Sequence, residues 1–249
     1  MTDRPSLPAR SWSPRPLRPS DVQEALSQLY LRLNGYLTTS FIVHAPGWGD
    51  NFAQIDALAV RHAGHAEPER EIPSDERLDP STTQTDVLIC EVKSLNEPLQ
   101  FASKLRDEEH VLRAVLRWVG VLDDAALYEA VPMVLPLLRI GCPAADARRG
   151  ASPRPAVRIR PLFLQPERDR ARPNQPWVIC GDELLDYVAR CLSNLAVRPA
   201  SSVRYDFTAW GPWLEPIVSY FKDLRDHEHP SMTALYAYTG VARASRSNS

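Results

Sequence analysis

Apolar residues at Val22, Leu26, Leu29, Tyr30 and Leu33 recur at helical spacing. They predict a first helix that starts at the N-cap pair Ser20-Asp21 and stops at Asn34-Gly35, a left-handed cap. The period then changes. Residues 38–45 and 52–61 read as two strands joined by a hairpin loop at 46–51. Residues 86–93 form a third, with the unbroken apolar run Val87-Leu88-Ile89-Cys90. Helical spacing returns over 99–119 through Phe101, Leu105, Val111, Leu112, Val115, Leu116 and Val119. Asp123-Asp124 caps a further helix toward about residue 138, whose end Pro132 and Pro136 are expected to make irregular. A fourth strand is predicted over 157–164 and a short fifth at 177–180. Gly181 opens a helix through Leu184, Leu185, Tyr187, Val188, Cys191 and Leu192, and 212–226 reads as a last helix packed back on the core.

The intervening stretches differ in kind. Residues 1–19 hold five prolines and four arginines without hydrophobic period and read as a disordered leader. Residues 62–85 are polar, longer than an ordinary hairpin connection, and read as an insertion; His62 and His65 within it read as surface histidines. Residues 148–172 carry eight arginines against Glu167 and Asp169, a stretch that is either a phosphate-binding surface or a solvated proline-rich loop. Arg158 and Arg160 in its strand are the candidate nucleic-acid contacts. Lys104, Arg106 and Arg113 on the 99–119 helix suit either a backbone phosphate or plain solvation. The aromatics Tyr205, Phe207, Trp210, Trp213, Tyr220 and Phe221 suit core packing better than base stacking. Residues 243–249 read as frayed.

Composition changes this picture little. A chain of 249 residues with 44% hydrophobic and 24% charged residues can bury a sizeable core. It has no apolar run long enough for a membrane span and no apolar signal-peptide core, so a cytoplasmic protein without a membrane partner is expected. Cys90, Cys142, Cys180 and Cys191 form no C-x-x-C pair and are expected to stay reduced. The net charge of −2 does not announce a nucleic-acid binder, although it says nothing of local basic surface.

Chemistry concentrates at the ends of the second and third strands. Asp56 interrupts the apolar run Gln54-Ile55-Asp56-Ala57-Leu58-Ala59-Val60, and Glu91-Val92-Lys93 closes the next strand. Positions two apart share a face, so Glu91 and Lys93 point the same way. Such a triplet alone is commonly a solvated face. With Asp56 at the same level of a neighbouring strand, two carboxylates and a lysine converge, and a buried set of that kind needs pairing or a metal.

The ordered set Glu24 on the first helix, Gly35-Tyr36, Gln54-Ile55-Asp56 and Glu91-Val92-Lys93 resembles the PD-(D/E)XK nuclease superfamily, especially its Holliday-junction-resolvase-like and Mrr-like branches. The resemblance covers about residues 20–165 and departs from the family at Gln54, where glutamate is common. It implies an α/β protein with a restriction-endonuclease-like αβββαβ core, a central mixed sheet flanked by helices, plus an inserted helix at 123–138 and a C-terminal helical extension. The implied organisation is a leader at 1–19, a nuclease-like domain at 20–195 and an extension at 196–249. The implied activity is hydrolysis of phosphodiester bonds in nucleic acid, DNA first, in defence or repair. Asp56, Glu91, the Val92 carbonyl and Glu24 would hold Mg²⁺, with Mn²⁺ as a substitute, and Lys93 would act on the attacking water. A catalytically silent nucleic-acid-binding or partner-binding module is the alternative, and a homodimer or partner protein is left open.

Overall fold

The computed structural model describes residues 17–44, 51–67, 71–173, 175–193, 210–225 and 228–241. Most of the expected leader, the hairpin tip, Tyr205, Phe207 and the terminal 243–249 lie outside these residues.

The first helix, α1 (Pro19–Leu33), begins two residues earlier than its pattern suggested. Proline fits the first helical position because it has no N–H to satisfy there. Asp21 then serves as an acceptor three residues in, taking the Arg18 N–H at 2.7 Å. The helix ends at Asn34, and Gly35 takes the left-handed conformation, φ +82°.

Strands β1 (Leu37–His44), β2 (Asn51–Arg61) and β3 (Thr85–Val92) follow as an antiparallel meander. In β3, Val87 and Ile89 face one core while Leu88 and Cys90 face the other, and all four are buried. A strand covered on both faces reads as a continuous apolar run for this reason.

The expected single helix over 99–119 is two: α2 (Ser103–Asp107) and α3 (Glu109–Val119), separated by extended Glu108. Three successive acids, Asp107-Glu108-Glu109, sit better at a helix N-terminus than inside a helix, where the dipole offers them nothing. Next comes α4 (Asp124–Leu138), capped by Asp123, which accepts the Ala126 N–H at 2.7 Å. Pro132 and Pro136 do not end it; both face solvent, where water can take the freed carbonyls.

Two short elements carried no sequence signal, α5 (Ala144–Arg149) and β4 (Ala151–Arg154). They lead into β5 (Val157–Gln165), parallel to β3. The outer edge of β5 pairs antiparallel with β4 near its start and parallel with β6 (Val178–Cys180) near its end. Pro161 falls between the two. Phe163 N–H points outward to Trp177 O, so by alternation the nitrogen of Pro161 faces the same edge, where no partner needs a donor. After β6 come α6 (Gly181–Leu192), α7 (Glu215–Lys222) and α8 (Met232–Tyr238).

The result is an α/β structure with a mixed, open six-stranded sheet, order β1-β2-β3-β5-β4 with β6 on β5, covered by helices on both faces. One core joins α1, α6, α7 and α8 to the sheet through Leu26, Leu88, Leu162, Leu184, Phe221 and Leu235. The other joins α2, α3 and α4 through Leu105, Leu112, Val131, Ile89 and Phe163. Part of the 62–85 insertion is integral: Leu78 is fully buried, and Asp75 accepts from Tyr30 Oη at 2.9 Å and pairs with Arg77. Among the described residues no helix is long and apolar enough to cross a membrane.

Candidate active site

The β2/β3 register pairs Ala57 with Cys90, so Asp56 and Glu91 come next to each other one step further along. Both side chains leave the sheet at the same end. The Asp56 carboxylate is held by the backbone of β3: Val92 N–H donates to its Oδ2 at 2.8 Å. Lys93 Nζ donates to Glu91 Oε2 at 2.7 Å, a pair with the Glu91 side chain only 6% exposed. The other oxygen, Glu91 Oε1, is buried and has no hydrogen-bond partner. Glu24, on the first turns of α1, joins them in one open cleft of about 640 Å³ with Val92, Glu97 and Arg106.

The charges are out of balance. Burial raises the Asp56 carboxyl above its ordinary range, opposed by the Val92 N–H and by Lys93. Burial also raises Glu91; the Lys93 hydrogen bond and charge oppose this, and the Asp56 charge adds to it. Glu24 is pushed up to about 7, first by burial and then by the charges of Asp56 and Asp21. Carboxyls this reluctant to ionise, facing one another, are stabilised in their charged form by a cation.

The residues suit a hard divalent ion: two carboxylates from adjacent strands, a backbone carbonyl candidate at Val92, and an orphaned buried oxygen on Glu91. Among the described residues, no three His, Cys, Asp or Glu side chains are gathered closely enough to hold a metal by themselves. Glu24 therefore lines the cleft without completing a three-carboxylate group.

Arg158 and Arg160 are elsewhere and are not available to a phosphate. As alternation requires, both take one side of β5, but it is the inner side. Register sets Arg158 opposite Asp86 on β3, and both arginines engage that carboxylate. Arg158 Nε lies 3.2 Å and Arg160 Nε 3.0 Å from Asp86 Oδ1, and Tyr36 Oη donates to Oδ2 at 2.6 Å. Arg160 and Asp86 are both 0% exposed, with the guanidinium 4.8 Å from the centroid of the Trp177 ring. A carboxylate buried at the start of β3 recruited the arginines that the local charge count had assigned to the surface. Tyr36 thus serves this buried carboxylate rather than the cleft, and Gly35 the end of α1.

Two cleft residues, Glu97 and Gln23, carried no functional expectation, whereas Arg106 was one of three helix cations expected to suit a phosphate or plain solvation. Glu97 accepts the Ser94 N–H at 2.8 Å, and the Ser94-x-x-Glu97 spacing was the sequence signal for that turn. Gln23, buried beside Glu24, gave none. Arg106 lines the cleft and donates to Gln100 Oε1 and Phe101 O, both at 3.2 Å, whereas Lys104 is exposed and outside it. His62 is exposed and His65 lies 2.9 Å from Glu67. None of the four cysteines is in a disulfide. Compared with known proteins, the chain matches no family model, no curated protein and no solved structure.

Proposed function

We propose that this protein is a divalent-cation-dependent nuclease on a restriction-endonuclease-like core, hydrolysing phosphodiester bonds of nucleic acid, with DNA the expected substrate. The observation that carries the reading is the convergence of Asp56, Glu91 and Lys93 at one sheet end, in an open cleft, with Glu91 Oε1 buried and unpartnered. Element order supports it: α1, an antiparallel β1-β2-β3 meander, crossover helices, then β5 parallel to β3.

The cleft lining sets Glu24, Asp56, Glu91 and Glu97 against Lys93 and Arg106. A phosphodiester has no reason to approach such an acidic lining unless a cation neutralises it first. Asp56, Glu91 and the Val92 carbonyl are the groups to hold Mg²⁺ or Mn²⁺, which when bound supplies Lewis acidity and a bound water of lowered pKa. The chain's own residues do the rest. Val92 N–H keeps the Asp56 carboxylate turned toward Glu91. Lys93 offers an ammonium that orients the attacking water and stabilises negative charge growing on the phosphate. Glu24, half-buried and easily protonated, accepts from water on the α1 side of the cleft.

The test is a panel of linear, nicked, branched and single-stranded DNA and of RNA, with Mg²⁺, Mn²⁺ or EDTA. Cleavage with either ion that EDTA stops is expected. No cleavage of any substrate sinks the proposal, and binding without cleavage points to the silent-module alternative.

A further inference from the structure

Behind the cleft, four segments meet in a closed ring of hydrogen bonds. Gln23 Nε2 donates to Tyr236 Oη at 2.8 Å. Tyr236 Oη donates to Glu167 Oε1 at 2.9 Å. The other oxygen of Glu167 accepts the Leu95 N–H at 3.1 Å. One peptide earlier, Ser94 Oγ donates to Gln23 Oε1 at 3.3 Å and closes the ring. The Ser94–Leu95 segment is also tied from β5 and its exit: Gln165 Nε2 donates to Ser94 O at 3.0 Å and Arg168 Nη2 to Leu95 O at 2.9 Å.

Hydrogen-bond chemistry sets the direction of the ring. An ionised carboxylate only accepts, so the phenol must donate to Glu167. Its lone pair is then what Gln23 Nε2 meets, and the Gln23 carbonyl is left to face Ser94. Gln23 and Tyr236 are 2% and 3% exposed, and a low local dielectric strengthens the link between them, whereas the links to Glu167, Leu95 and Ser94 are part-buried.

The ring's place gives it consequence. Gln23 immediately precedes Glu24, and Ser94 immediately follows Lys93. A helix lying on a sheet has no backbone ladder to fix its position along a strand, so side chains must do it. Here the side chain in the middle comes from α8, more than 140 residues beyond the β3 exit.

We propose that Tyr236 is a positioning residue for the candidate site, acting through Gln23 and Glu167 to set Glu24 on α1 against Lys93 at the end of β3. Its effect on turnover rests on the nuclease reading; its effect on the β3 exit does not. Misplacement of reacting groups by about 1 Å can cost on the order of a hundredfold in rate.

The experiment compares the full-length parent with Tyr236→Phe, which removes one oxygen and keeps the ring packed, and with Glu167→Gln, which offers the phenol a partner that also donates. Measurements are made well below the Tm of all three. Each variant is expected to lose on the order of tenfold to a hundredfold in kcat with KM within about twofold. Amide hydrogen exchange across 93–97 is expected to quicken, while 86–91 stays as slow as in the parent. Unchanged exchange at 93–97 in both variants overturns the proposal, as does a full parental kcat. If the parent cleaves nothing, the nuclease reading fails instead, and the exchange comparison alone decides: faster exchange at 93–97 supports the strut and parental exchange refutes it.

Discussion

At the scale of single residues, Lys93 and Asp56 are expected to fail differently. On the proposed nuclease reading, Lys93→Ala removes a charge that would act most when negative charge develops, so cleavage should fall by about 10²–10³ with substrate affinity nearly unchanged. Calorimetric Mg²⁺ affinity should not drop, since losing a neighbouring ammonium favours a cation. Asp56→Ala should lose both cleavage and Mg²⁺ binding; parental cleavage by either variant contradicts the assignment. Glu24 yields a pH prediction for the cation-free protein. Its folded pKa of about 7 lies above the ordinary 4.5, so its contribution to stability is present below 4.5 and is lost as pH rises through 7. Asp56 and Asp21 face it with like charge and Arg18 with opposite charge. Glu24→Gln should therefore gain stability relative to the parent between pH 5 and pH 8. Discounted for the solvent that reaches this half-buried group, the gain is about 1–2 kcal/mol by urea denaturation in EDTA. A pH-independent difference would show that Glu24 is not held in a costly ionised state.

At the scale of elements, the decisive pairing is β3 with β5. It brings Asp86 opposite Arg158 and lets Arg160 reach the same carboxylate, under a roof formed by the end of α5. Gly150 at that end has φ +74°, and a Cβ there would stand 2.4 Å from Arg160 Cγ and 2.6 Å from Ile159 O. Only glycine fits both the conformation and the approach. Asp86→Asn leaves two guanidinium groups without their shared counter-charge, one of them fully buried. A loss of about 3–5 kcal/mol is expected in denaturant unfolding. Asp123→Ala, which uncaps α4 and removes a loose, exposed 4.0 Å ion pair with Arg154, should cost about 1 kcal/mol by the same measurement. If the two losses were equal, the Asp86 pair would be no more than an ordinary surface contact.

At the scale of the whole molecule, the C-terminal helices belong to the core that holds α1. Leu214, Ile217, Val218 and Phe221 of the α7 region and Leu235 and Tyr236 of α8 are buried in it. Truncation after residue 229 removes Met232, Leu235 and Tyr236 from that core, at about 1.5–3 kcal/mol for each fully buried apolar side chain. A loss of more than about 3 kcal/mol in guanidinium unfolding is expected, together with faster exchange in α1. Parental stability of the truncated chain would make the extension an appendage.

The sequence by itself determined what depends on neighbours a few positions away. Period-2 and period-3.6 patterns located α1, β1, β2, α4, β5 and α6 to within a few residues, and an unbroken apolar run located β3, because what each buries is written into its own stretch. Alternation put Glu91 and Lys93 on one face of β3, and an isolated Asp56 in an apolar strand marked the second carboxylate. What only the tertiary structure decided depends on which residues meet. Arg158 and Arg160 look like surface charge until β5 docks beside β3 and a buried Asp86 claims them. The breaks at Glu108, β4 and α8 lie in runs too short or too mixed for a period to register. The link from Tyr236 to Gln23 spans 213 positions. A hydrogen bond across such a separation leaves no periodic trace; it exists because the packing of α1 and α8 on one face of the sheet brings the two groups within 2.8 Å.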